Sequence, residues 1–180
     1  MPRRIAKRLL IAWAPLLIIA CTHQEARKPM NQSVSSKTEN SVVKNRAQLA
    51  LETEVLENWL TQQNIPFTQT PYGVWYSYTN VDKPYKYIDS TSSPVLYLNL
   101  LKLDGTPYYE GKRIDNPLSN QSIPTGILRV MQEIPIGVEA TVAMPSLIAY
   151  GATGDGLLIP PNTPLIARIF ITLGSQKNNP

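Results

Sequence analysis

The sequence holds one cysteine, Cys21, and one histidine, His23, in 180 residues. A disulfide within the chain is therefore excluded, and no second thiol or imidazole stands ready to complete a zinc-type site. Long apolar runs are missing too: the run at residues 9–20 spans 12 residues, too few to cross a hydrocarbon layer as a helix. Nor is there an excess of one charge once the start is set aside. The chain carries 17 Lys and Arg against 13 Asp and Glu, but Arg3, Arg4, Lys7 and Arg8 all precede that apolar run, and removing these four leaves 13 against 13. Nucleic-acid binding needs a clustered positive surface to release counterions, so no nucleic-acid partner is expected.

What the start does have is a basic head, an apolar middle and a small residue before Cys21, the order of an export signal. Ile18-Ile19-Ala20-Cys21 resembles the lipobox of bacterial lipoproteins. The resemblance implies a signal peptide at 1–20, removal of that segment, and lipidation of Cys21 as the first residue of the mature protein. The alternative is a plain secretory signal with a chance cysteine. Paired arginines hint at twin-arginine export, but the rest of that motif is absent. The expected place is the cell envelope, lipid-anchored and facing the periplasm. Thr22 is not an acidic retention residue, which favours the outer membrane over the inner.

Residues 21–45 are polar and poor in large apolar side chains, and such a segment buries too little surface to offset its ordering entropy. They are expected to form a flexible tether, with His23 a solvated side chain. Over 46–64, Leu49, Leu56 and Leu60 with Leu51, Val55 and Trp59 recur at helical spacing, and Asn64-Ile65-Pro66 supplies a stop. This amphipathic helix either joins two copies in a homodimer or lies on the domain behind it. Residues 65–180 form that domain. GVWYSYTN, PVLYLNLLKL, GVEATVAM and PLIARIFITL read as antiparallel strands bounded by turn formers, with Asp104-Gly105 turning a hairpin. Around IPTGILRVMQEIPIG, Gly126, Ile127, Val130, Met131 and Ile134 space as one short helix. The fold class is α+β: an antiparallel sheet wrapped around one short helix.

The stretch AYGATGDGLLIPPNTPLIARIFITL places glycines beside Pro160-Pro161 and an apolar strand. A phosphate loop would instead open a helix whose amides hold the anion. Proline fixes φ and removes amide donors, so the segment is a rigid turn, and Gly151, Gly154 and Gly156 permit positive φ and close approach. This run resembles the C-terminal segment of FKBP-type peptidyl-prolyl cis/trans isomerases. PTGILRVMQEIPIGVEATVAMPSLIAYG and DGTPYYE resemble that family further upstream, so that the likeness covers about residues 94–173. With lipobox, tether and N-terminal helix, the whole resembles the lipid-anchored members of Gram-negative bacteria.

The resemblance implies an isomerase acting on X-Pro bonds of exported, proline-containing polypeptide clients, with no cofactor and no metal. It assigns Tyr150 as donor to the substrate backbone, with Tyr108 and Ile159 in the catalytic set. Tyr109, Ile123, Ile127, Leu158, Ala167 and Leu98 follow as substrate-binding positions. Departures are several: Tyr109 replaces an acidic residue, with Glu110 one place later. Ile127 stands for a tryptophan, Ala167 for a phenylalanine and Asp155 for a histidine found in some members, implying a wider, less aromatic pocket. Pro124 falls where the family uses an amide donor, which argues for weak activity and against tight macrolide binding. The alternative is a catalytically weak or inactive chaperone or assembly partner of an envelope machine that keeps the fold.

Overall fold

The computed structural model describes residues 32–79 and 85–174. The expected signal peptide, Cys21 and the tether as far as residue 31 lie outside these residues. In chain order the elements are α1 (Gln32–Thr61), β1 (Thr68–Gln69), β2 (Trp75–Tyr78), β3 (Pro94–Leu101), β4 (Pro107–Asp115), α2 (Thr125–Val130), β5 (Glu139–Met144) and β6 (Leu165–Leu173). All strands pair antiparallel in one sheet of order β1-β2-β5-β6-β3-β4.

Helix α1 starts at Gln32, well before the expected residue 46, so the segment 32–45 is helical and not a coil. From Gln32 to Ile65 the chain contains neither glycine nor proline, and a helix once nucleated propagates until something interrupts it. The segment has no apolar stripe to announce it: residues 40–47 are exposed, Val42 and Val43 among them. At the other end, Gln62 and Gln63 donate to the carbonyls of Trp59 and Leu60, and Pro66 follows.

The sheet buries side chains on both faces. On the inner face Leu96, Leu98, Leu100, Ala140, Val142, Met144, Leu165, Ala167, Ile169 and Ile171 pack with Ile127, Val130 and Met131 of α2 and its last turn. Gly126 lets α2 sit this close, since a Cβ there would lie 3.1 Å from Met144 Sδ and 3.2 Å from Val74 Cγ2. On the outer face one row runs across four strands in register: Trp75 opposite Ala143, Ala143 opposite Ile166, Ile166 opposite Leu101. Leu56 of α1, fully buried, closes over that row with Trp59, Leu60 and Phe67 around it. Trp59 Nε1 donates to the Leu103 carbonyl at 2.9 Å, fixing the helix to the β3–β4 turn. The helix therefore lies on its own domain, while Leu51 and Val55 are exposed on its far side.

Strand β4 reads poorly from sequence because it is an edge strand, mostly exposed, with GKRID carrying no alternation. The hairpin before it is as expected: Gly105 has φ +83°, and Asp104 Oδ1 accepts from the Thr106 amide at 2.8 Å.

Replacing Leu56 by alanine removes the closure of the outer row. Urea unfolding of Leu56→Ala is expected to show a loss of about 2–4 kcal/mol, the range for a buried leucine truncated where the neighbours cannot collapse.

Candidate functional site

Tyr150 stands between the 3₁₀ turn Ser146–Ile148 and a loop that returns as β6. Its ring packs against the inner apolar cluster at the edge, and its hydroxyl donates to the Ser122 carbonyl at 3.3 Å. Burial pushes its pKa up to about 12, with the charge of Asp155 and the neighbouring Tyr109 adding to the effect. The phenol therefore stays a neutral donor at any physiological pH.

Tyr108 and Tyr109 are sequence neighbours, and a regular strand would send them to opposite faces. The β3–β4 register slips between Leu98 and Leu100 and again between Leu100 and Leu101, and both rings reach the inner cluster. The first slip is stabilised by Gly111, at φ +62°, whose amide donates to Asn99 Oδ1 at 2.6 Å. Lys102 Nζ lies 5.4 Å from the centre of the Tyr108 ring, and Lys112 Nζ lies 4.3 Å from that of Tyr109. Glu110 is exposed.

The loop from Gly151 to Ile159 is organised by a residue that sequence reasoning passed over as a mere departure. Asp155 Oδ1 accepts from the amides of Leu157, Leu158 and Ile159 at 2.9, 3.0 and 2.8 Å, and Oδ2 accepts from the Tyr109 hydroxyl. Burial works against its charge, but the hydrogen bonds from Tyr109 and the three amides together outweigh it and hold the carboxyl below its ordinary value. An aspartate between two glycines, two residues ahead of the amides it caps, was the available signal. Gly154, at φ +70°, has no room for a side chain, since a Cβ there would run into the Ile159 carbonyl.

The expected positions thus sort into two layers. Tyr108, Tyr109 and Tyr150 form a half-buried rim, with Leu158 exposed beside them. Ile123 and Ile159 lie just beneath, 5% and 3% exposed. Leu98, Ile127 and Ala167 lie deeper in the core, at 2%, 0% and 0% exposure, packed where α2 meets the inner face of β3 and β6. The floor is closed and apolar, and the accessible rim carries three tyrosines. Pro124 is buried as the N-cap of α2: it has no amide to donate, and Ile127 and Leu128 donate to its carbonyl at 3.0 and 3.2 Å.

A larger cleft of about 890 Å³ lies on the opposite face of the sheet, beside Tyr97, Arg168 and Phe170. Its lining includes hydroxyls of Ser77, Tyr78 and Thr141, but it lies on the far side of the sheet from Tyr150 and the double-proline loop.

No family model matches the sequence, and no curated protein matches it. Solved structures do. FkpA from Escherichia coli matches with a TM-score of 0.55 and 18% identity over 78% of this chain, and this chain spans 65% of the length of FkpA. A peptidyl-prolyl cis-trans isomerase from Pseudomonas syringae pv. tomato aligns over 71% of this chain and 92% of its own, at 22% identity and TM-score 0.49. AtFKBP13 aligns over 58% and 95%, at 20% identity and TM-score 0.48. With its antiparallel sheet curled over the short helix α2, this chain has the fold of the FKBP-type peptidyl-prolyl cis/trans isomerases.

Proposed function

We propose that the chain is a peptidyl-prolyl cis/trans isomerase that speeds X-Pro rotation in exported polypeptides, held at the envelope by lipidated Cys21, on the periplasmic side of the outer membrane. The observation that carries this reading is Tyr150: a neutral, half-buried hydroxyl set over closed apolar packing, at the mouth between two loops.

Rotation about an X-Pro bond breaks amide resonance against a barrier of roughly 18–20 kcal/mol, with no covalent or redox step. A catalyst needs only to bind the twisted amide better than either planar form. Apolar surroundings disfavour the charge-separated planar amide, and the Tyr108, Tyr109 and Leu158 rim supplies them together with the slivers of Ile123 and Ile159. Tyr150 donates to a substrate carbonyl in place of the Ser122 carbonyl. The 3.3 Å bond to Ser122 is long for an O–H donor, so the exchange gives up little.

A second reading is favoured by Pro124 and the closed floor: a binding module that holds unfolded clients on this fold and turns over slowly or not at all. In that case an unfolded client is kept from aggregating while a short proline peptide is not isomerised.

With the full chain purified in detergent, a Leu-Pro or Phe-Pro test peptide is expected to convert from cis to trans faster than in buffer, and Tyr150→Phe to lose roughly tenfold of kcat/KM, about one hydrogen bond to the reacting group. A folded wild-type chain without acceleration sinks the catalytic reading. Because the Tyr150 phenol is lost only as pH rises through its folded value near 12, the acceleration should stay flat from about pH 6 to 10, where an unperturbed tyrosine would already be half ionised. For the anchor, Cys21→Ser is expected to move the expressed protein from the detergent phase to the aqueous phase on phase separation; unchanged partition removes lipidation at Cys21 from the proposal.

A further inference from the structure

Glu52 is the one acidic side chain buried in the described residues, 4% exposed, and it lies on α1, on the side of the sheet opposite α2. Its Oε2 accepts from the Ser146 amide at 2.6 Å, and its Oε1 accepts from Ser146 Oγ and from Gln48 Nε2, each at 2.7 Å. All three neighbours are donors, as a carboxylate requires, and shielded charge-assisted bonds of this kind are the strong ones.

Ser146 opens the turn that leads to Tyr150, and a line of hydrogen bonds continues from it. Its carbonyl accepts from the amides of Ala149 at 2.9 Å and Gly151 at 2.7 Å, the residues on either side of Tyr150. The Gly151 carbonyl in turn accepts from Asn162 at 2.9 Å, at the end of Ile159-Pro160-Pro161. Asn162 holds φ +52°, a conformation that asparagine tolerates better than most residues. Both arms of the mouth, the Tyr150 arm and the double-proline arm, are therefore tied through one serine to one carboxylate. A small crevice of about 60 Å³ runs between α1 and this junction, lined by Glu52, Ser146, Gly151 and Asn162 among others.

We propose that Glu52 is a positioning residue: through Ser146 it sets the place of the Tyr150 hydroxyl and the height of the double-proline arm, making helix α1 part of the functional site. The proposal deepens the isomerase reading and rests on it for its activity readout. Glu52 touches no substrate; it acts on Tyr150, and a misplacement of a fraction of an ångström at a donor is enough to be felt in the rate.

The test is a cycle of variants in the full chain. Glu52→Ala is expected to lower kcat/KM for the proline peptide roughly tenfold. In the Tyr150→Phe background the same change should cost almost nothing, because the donor it places is already gone. Glu52→Gln, which keeps an acceptor for the Ser146 amide, should recover part of the loss, and Glu57→Ala, exposed on the same helix, should lose nothing. A role limited to stability predicts the same fractional loss in both backgrounds, and that result overturns the proposal. If wild type does not accelerate isomerisation, the isomerase reading fails on its own account, and amide hydrogen exchange decides the positioning claim. There Glu52→Ala must speed exchange at Gly151 and Asn162 by roughly tenfold while the β3 amides stay slow, and unchanged exchange at these two amides overturns it.

Discussion

A sheet with a fully apolar inner face and an apolar row across one end of its outer face is the constraint from which the rest follows. Leu96, Leu98 and Leu100 of β3 point to α2, while Val95 and Leu101 on the same strand point the other way, and neither set tolerates water. The short helix α2 covers the inner face. The outer face falls to α1, whose Leu56 closes the row Trp75, Ala143, Ile166 and Leu101. Each side chain of that row comes from a different strand, so covering it locks four strands at once. The N-terminal helix is thus a layer of the core.

The layering also shapes the mouth. Since α2 shares one buried cluster with β3 and β6, the core residues under the mouth are covered, and chemistry is left to what the loops bring to the rim. Three tyrosines do so, each with its hydroxyl or ring engaged: Tyr150 on the Ser122 carbonyl, Tyr109 on Asp155, Tyr108 beneath Lys102. Tyr109 and Asp155 form one unit across the mouth. The carboxylate sits on the loop and the tyrosine meets it from strand β4. Placed there, it also gathers three backbone amides of its own loop.

Much of this was legible in the sequence because the signals were local. Asp104-Gly105, the alternation in β3, the spacing of Ile127, Val130 and Met131, and glycines next to Pro160-Pro161 each dictate conformation within a few residues. What escaped notice was non-local. The segment 32–45 is helical without an apolar face, so periodicity carried no information there, and the absence of breakers did. Strand β4 pairs at an edge and needs no alternation. On α1 the buried face runs through Gln48, Glu52, Leu56 and Leu60, one turn apart, while Leu51 and Val55 lie outside it; counting only apolar residues pulled the stripe off its axis. A glutamate in line with buried leucines was the signal for Glu52, but its partner Ser146 could be found only from the fold. The exposure of Leu98, Ile127 and Ala167 depended on how tightly α2 packs, which no motif records.

The helical stretch from Gln32 to Gln48 has a mechanical meaning. At 1.5 Å per residue it is a rod of roughly 25 Å. A coil of that many residues would span a similar distance, on the order of 20 Å, but would carry no heading. The rod is continuous with the turns that grip Trp75 and Ser146, so rotating the domain means rotating the rod with it. The rim around Tyr150 therefore keeps a fixed heading relative to Gln32, like a head on a stiff neck.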